Sequence, residues 1–190
     1  MATRSRRPTK EDLLAARAKT LRDVIAPGLR VLFCGINPGL YSAATGNHFA
    51  RPGNRFWPAL HRAGFTPRLL HPSEKQVFLR SGYGLTNLVA RATASADELA
   101  PSEFQSGRDR LRRKVRRYRP KFVAFLGLGA YRHAFGDARA GLGEQPVRFE
   151  GARVWVVPSP SGLNAAYQID ALAAELRRLR RATEEPMRQA

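Results

Sequence analysis

The sequence predicts an α/β domain, a three-layer sandwich whose mainly parallel central sheet is covered by helices on both faces. Three observations predict it. Short, mainly apolar runs at 30–35, 121–128 and 153–157 lack polar alternation, as strands buried on both faces do. Segments with helical apolar spacing separate them, the order that parallel βαβ units require. Two loops rich in glycine and proline, 35–39 and 158–163, leave the first and last of these runs, at the strand ends where such sheets hold ligands.

The elements follow in order. Residues 1–9 read as a flexible basic tail, and 10–190 as one domain with no linker or internal repeat. Leu13, Leu14, Arg17, Leu21 and Ile25 suggest a helix that Pro27-Gly28 stops. The run 30–35 is a buried strand delivering Gly35-Ile36-Asn37-Pro38-Gly39. Asn54 is placed to cap a helix through His61, and Ser73 another through Arg80. Residues 83–89 suggest a short strand, followed by an Ala/Thr/Ser loop carrying Asp97 and Glu98. Phe104, Leu111, Val115 and Tyr118 share one face of a helix whose other face is arginine-rich. After the strand 121–128, Gly127-Leu128-Gly129 turns into a helix over 130–135. This Gly-x-Gly has Arg132 where a dinucleotide fingerprint needs its third glycine, which argues against a nucleotide cofactor. Ala166, Ile169, Leu172, Ala173, Leu176 and Leu179 mark a long amphipathic final helix.

Composition narrows the function. Of 190 residues 43 % are hydrophobic and 25 % charged, which is enough apolar matter for a core and excludes wholesale disorder. The longest apolar runs fall well short of the ~18 residues of a membrane span, and the first ten residues are polar and basic, unlike a secretory signal. A cytoplasmic protein without a membrane partner is expected, nucleoid-associated if bacterial. Cys34 is the single cysteine, excluding an internal disulfide or a Cys-rich metal centre, and His48, His61, His71 and His133 lack metal spacing and read as surface or helix-packing residues. Lysine and arginine number 33 against 15 acidic residues, a formal charge of +18. Such a surface attracts phosphate backbones irrespective of sequence, although 28 of the cations are arginine, a bias that genome composition also produces.

Two loops carry the chemistry. Gly35-Ile36-Asn37-Pro38-Gly39 is a stiff turn with an amide that can donate and accept, suited to holding one water or carbonyl accurately. The alternative is that Asn37 only closes an Asx turn before Pro38. Pro158-Ser159-Pro160-Ser161-Gly162-Leu163 ends on an apolar residue in polar company. Either Leu163 tucks into the core as a staple, or it serves outside it.

Together, 35–40 and 158–163 resemble the two signature motifs of the uracil-DNA glycosylase superfamily, and of its mismatch-specific and thymine-DNA glycosylase branch in particular. Phe49-Ala50-Arg51-Pro52-Gly53-Asn54-Arg55-Phe56-Trp57 is similar to that branch's intervening stretch, with further echoes in 63–66, 84–89 and 127–131. The likeness runs in order from about residue 30 to about residue 180.

The resemblance implies excision of uracil from DNA without metal or organic cofactor, by a monomer acting on DNA that contains uracil or a mismatched pyrimidine. The target nucleotide must be flipped out of the stack. By the match, Leu163 is the wedge that fills the vacated space, with Pro160, Ser161, Gly162 and Asn164 beside it at the DNA and Ser161-Gly162 allowing close backbone approach. Phe49 stacks on the flipped base, its alternative being core packing, while Asn37 orients the water and Ile36 and Ser159 adjoin the base. Asn54 reads as a loop tie, and Phe56-Trp57 as core. An amide is no strong base, so Asp97 is a further candidate for activating water or stabilising the sugar cation; its alternative is a helix N-cap. A silent damaged-DNA or RNA binder with the same fold is the competing function. The chain departs from the branch in having Ser159 for asparagine, Ala165 for a long basic residue and Tyr41 for a small one; Tyr41 either narrows the pocket or stands clear of it.

Overall fold

A computed structural model of the chain describes residues 6–185. The apolar runs form β1 (Val31–Gly35), β2 (Tyr83–Asn87), β3 (Phe122–Leu126) and β5 (Ala152–Val157), joined by β4 (Gly143–Phe149). The sheet order is β2-β1-β3-β5-β4, all pairs parallel except β4 with β5. The predicted three-layer architecture is found. Alternation along β1 divides the core, since Val31 and Phe33 face one layer and Leu32 and Cys34 the other. The first layer includes Phe56, Leu60, Phe78, Leu172 and Leu176, from α3 (Phe56–Arg62), α4 (Lys75–Arg80) and α7 (Ile169–Glu184). The second includes Leu111, Val115 and Tyr131, from α5 (Pro101–Tyr118) and α6 (Leu128–Phe135). No helix among the described residues is long and apolar enough to cross a membrane.

Several local expectations need correction. The first helix, α1, covers only Lys10–Ala15, where Thr9 and Asp12 form a capping box. Ala18 then turns left-handed (φ 65°), and the chain continues extended, bridging Thr20 to Arg91 and Val24 to Leu85. Leu13 and Leu14 lie in α1, but Leu21 and Ile25, read with them as one helical period, belong to this strap. Residues 1–5 of the expected tail lie outside the described residues, while Arg6 pairs with Asp12. A short helix, α2 (Leu40–Thr45), directly follows the first signature turn, and His71, not Ser73, caps the 3-10 turn Pro72–Glu74 ahead of α4. Strand β4 was not anticipated: Pro146 and a mostly exposed, polar face suit an edge strand, which needs no continuous apolar run.

Candidate active site

From β1 the chain passes to β2 on one side, then crosses to β3 on the other. Such a switch point leaves a crevice beyond the carboxyl ends of the strands. A cavity of about 380 Å³ lies there, within the ~300–1,000 Å³ usual for small-molecule sites. Gly35, Ile36 and Asn37 line it after β1, Asn87 at the end of β2, Leu126 at the end of β3, and Ser159, Pro160, Ser161, Leu163 and Asn164 after β5. The two unusual loops, far apart in the chain, meet at one hollow.

Asn37 is locked. Its Nδ2 donates to Thr93 Oγ1 at 2.7 Å, to Arg91 O at 3.0 Å and to Pro38 O at 3.3 Å. Two of these partners are carbonyls, which accept only, so the atom facing them is the NH2 and the orientation follows from chemistry. Its Oδ1 is therefore turned away, without a donor among the described residues and in reach of solvent. The backbone N–H groups of Ile36 and Asn37 also lack an acceptor among the described residues. The loop thus offers an acceptor and donors to a cavity occupant.

The second wall is aromatic. Phe49 has φ 54°, a left-handed conformation that costs a non-glycine residue of order 1–3 kcal/mol. Its neighbours hold it there: His48 O accepts from Trp57 Nε1 at 3.0 Å, and Ala50 N donates to Ser42 Oγ at 3.2 Å. The ring stacks on Phe56 with centroids 4.1 Å apart and lines the cavity, so it joins core to pocket. Gly35 leaves room for this wall, because a Cβ there would sit 2.6 Å from Asn87 Oδ1 and 3.3 Å from the Phe49 ring. Asn87 is 8 % exposed, yet its side-chain amide has no hydrogen-bond partner among the described residues and faces the cavity.

Leu163 is 76 % exposed at the rim, so it does not staple the core. The loop carrying it is held by Arg55. That side chain's Nη1 donates to the carbonyls of Ser161 (3.0 Å), Asn164 (2.9 Å) and Tyr167 (3.2 Å), Nη2 reaches Gly162 O at 3.4 Å, and Arg55 N donates to Pro160 O at 2.9 Å. Asn164 Nδ2 donates to Ser159 O at 3.0 Å, and Ser161 N donates to Ser159 Oγ at 3.4 Å. Gly162 packs on backbone, with an added Cβ falling 2.8 Å from Gly53 O. Its close approach is therefore to residues 51–55. Asn54 Oδ1 accepts from Phe56 N at 2.9 Å, the tie expected of it.

Two expectations change, for Asp97 and His48, and the alternative left open at Tyr41 resolves. Asp97 lies on an exposed 3-10 turn, Ala96–Glu98, with its carboxylate accepting from Ser95 Oγ at 3.0 Å. Ser95 and Ala96 line the cavity and Asp97 does not; none of the lining residues is acidic. The cap at this turn is Ser95, with Glu98 completing the box. His48 is no surface residue but is 1 % exposed and lines the cavity. Burial lowers its pKa to about 4, so it stays neutral and donates from Nε2 to Arg22 O at 3.0 Å. Tyr41 stands clear of the cavity. The sequence reading gives Arg55 and Asn87 no role beyond their place in the stretches 49–57 and 84–89, and it takes His48, just before the first of these, only as a surface or helix-packing residue.

The sequence model of the Uracil DNA glycosylase superfamily matches residues 22–182. Among solved structures, the chain is similar to the solution NMR structure of a protein from Methanosarcina acetivorans described as a candidate uracil DNA glycosylase. The TM-score is 0.58 at 18 % sequence identity, over 86 % of this chain and 98 % of that one.

Proposed function

The chain belongs to the uracil DNA glycosylase superfamily, and on that footing we propose that it is a monofunctional glycosylase of the mismatch-specific branch, acting as a monomer to hydrolyse the N-glycosidic bond of flipped-out uracil and leave an abasic site. Membership brings hydrolase chemistry on uracil-containing DNA, a step of base excision repair. The observation that carries the finer reading is the convergence of a locked amide and a protruding leucine on one cavity with no acidic lining.

In this reading Leu163 enters the duplex from a loop that Arg55 keeps in shape, with Pro160, Ser161, Gly162 and Asn164 against the DNA. The extruded base lies on Phe49, a contact of roughly 1–3 kcal/mol. Asn87 meets its hydrogen-bonding edge, since an amide presents a donor and an acceptor side by side, while Ile36 and Ser159 confine it. Asn37 Oδ1 accepts from a water and aims its oxygen at C1′. The C1′–N1 bond breaks with its electron pair leaving on the base, the water oxygen bonds to C1′, and its proton passes to solvent. The N–H groups of Ile36 and Asn37 stabilise charge growing on the departing carbonyl oxygen. Asp97 has no part in it. Without a general base, whose help is typically worth 10²–10⁴-fold, turnover is slow.

The test incubates the protein with oligonucleotides bearing U opposite G, U opposite A, T opposite G and single-stranded U, followed by alkaline cleavage. Strand breaks at uracil, strongest opposite G, are expected. Tight binding of all four with no cleavage would make the protein a silent binder instead.

A further inference from the structure

The parallel sheet gives the molecule two poles, and positive charge gathers at the one away from the cavity, whose lining holds a single arginine or lysine, Arg51. The loop over 158–168 contains no charged residue, and Arg55 donates to its carbonyls. At the amino ends of the strands the opposite holds. Arg30 precedes β1, Arg80 ends α4 ahead of β2, Arg117 is in the last turn of α5, Arg119 and Lys121 lie between α5 and β3, and Arg181 is in the last turn of α7. Hydrogen bonds join these segments into one edge. Arg30 Nη2 donates to Ser81 O at 2.7 Å, Lys121 N to Leu29 O at 2.8 Å, Arg153 N to Lys121 O at 3.0 Å, and Arg153 Nη1 to Ala182 O at 3.4 Å.

Glu144, Glu150 and Glu184 at this pole already pair with Arg153, with Arg112 and Arg116, and with Arg180. The six cations have no carboxylate partner among the described residues, and all are exposed. One of them sits at a backbone cost. Arg119 closes α5 in the left-handed conformation (φ 46°) that favours glycine. A five-residue strand alone sets this pole about 16 Å from the cavity, so a duplex bound at the cavity leaves it facing outward.

We propose that this pole is a second nucleic-acid-binding surface, which takes the phosphate backbone of a separate DNA segment while the cavity addresses the first. It reads no sequence. It lets one molecule bridge two duplexes and pass between them, and it goes beyond the excision reading because it requires no chemistry.

The test compares Arg117→Ser/Lys121→Ser with Lys10→Ser/Arg110→Ser, an equal loss of charge elsewhere. Undamaged duplex is fixed to beads, the protein is bound, and a second, fluorescent undamaged duplex is offered. Wild type and the control pair retain the second duplex, and the pole pair retains at least fivefold less. The slope of log affinity against log salt falls by about 2 for the pole pair, at roughly 0.9 per phosphate contact. Arg119→Gly melts no lower than wild type, yet also bridges less. Single-turnover uracil release from a short duplex at saturating protein is equal in all. No bridging by wild type, or equal loss in both pairs, overturns the proposal. Because bridging uses undamaged DNA, it is decided whether or not uracil is released.

Discussion

Replacing Arg55 by alanine separates a loop's shape from the chemistry beside it. Its Nη1 reaches three carbonyl oxygens between 2.9 and 3.2 Å, and Nη2 a fourth. One nitrogen has only two hydrogens, so these are shared contacts. Hydrogen bonds to charged groups contribute about 1.5–3 kcal/mol each when well buried. The loop is partly exposed and water replaces some of them, so a total loss of about 2–3 kcal/mol is expected. The Arg55 N–Pro160 O bond and the Asn164–Ser159 tie survive, so the protein stays folded and the loss falls on re-ordering the loop when DNA binds. At 1.4 kcal/mol per tenfold, that is roughly 30- to 140-fold. Single-turnover uracil release, with enzyme in excess over a uracil-bearing duplex, should show the half-saturating concentration rising by that factor while the plateau changes by less than about threefold. Arg55→Lys, which keeps the charge without the fork, falls between. Added guanidinium ion should partly rescue Arg55→Ala. Saturation of Arg55→Ala at the wild-type concentration would refute the clamp.

Other perturbations give distinct signatures. Leu163→Ala should leave thermal stability unchanged, because the side chain is 76 % exposed, but weaken DNA engagement about tenfold, since burying a leucine contributes about 1.5–3 kcal/mol; a melting point several degrees lower would return it to the core. Gly35→Ala drives a methyl against Asn87 and Phe49, an overpacking of about 1–3 kcal/mol, and uracil release should drop at least tenfold; full activity would mean the wall yields freely. Burial holds the folded His48 pKa at about 4, below the ~6.5 of an unfolded chain. The unfolded state therefore takes up the proton first, so stability present above pH 6.5 is lost as pH falls towards 4, by about 3 kcal/mol. Denaturant melts from pH 4 to 8 should show that slope in wild type and a flatter one in His48→Gln; equal slopes would contradict the buried, neutral imidazole.

What was legible in the sequence was what local pattern determines. β1, β3 and β5 are continuous apolar runs because both faces are covered, so no other element competes for them. The edge strand β4, exposed along most of its length, has no such signature. Arg17, Leu21 and Ile25 recur at a helical interval, yet the segment pairs with distant Arg91 and Leu85, and tertiary bridges override the period. Within the site, Asn37 and Leu163 stood out because a stiff turn and an apolar loop tip are odd locally. Arg55 gains its role from carbonyls at 161–167, Asn87 from the missing side chain of Gly35, and His48 from the strap at Arg22. Such partners are long-range and invisible to spacing. Asp97 is the converse case, next in sequence to the lining residues Ser95 and Ala96 but with its carboxylate turned to Ser95.

The most direct measurement is single-turnover uracil release by Asn37→Ala beside wild type, on a duplex with U opposite G, at saturating protein and with DNA affinity measured in parallel. The alanine variant keeps the fold and the wedge loop but loses the oriented Oδ1. The expectation for this variant is binding as tight as wild type and uracil release at least a hundredfold slower, about 3 kcal/mol in the barrier. Release at the wild-type rate would contradict it.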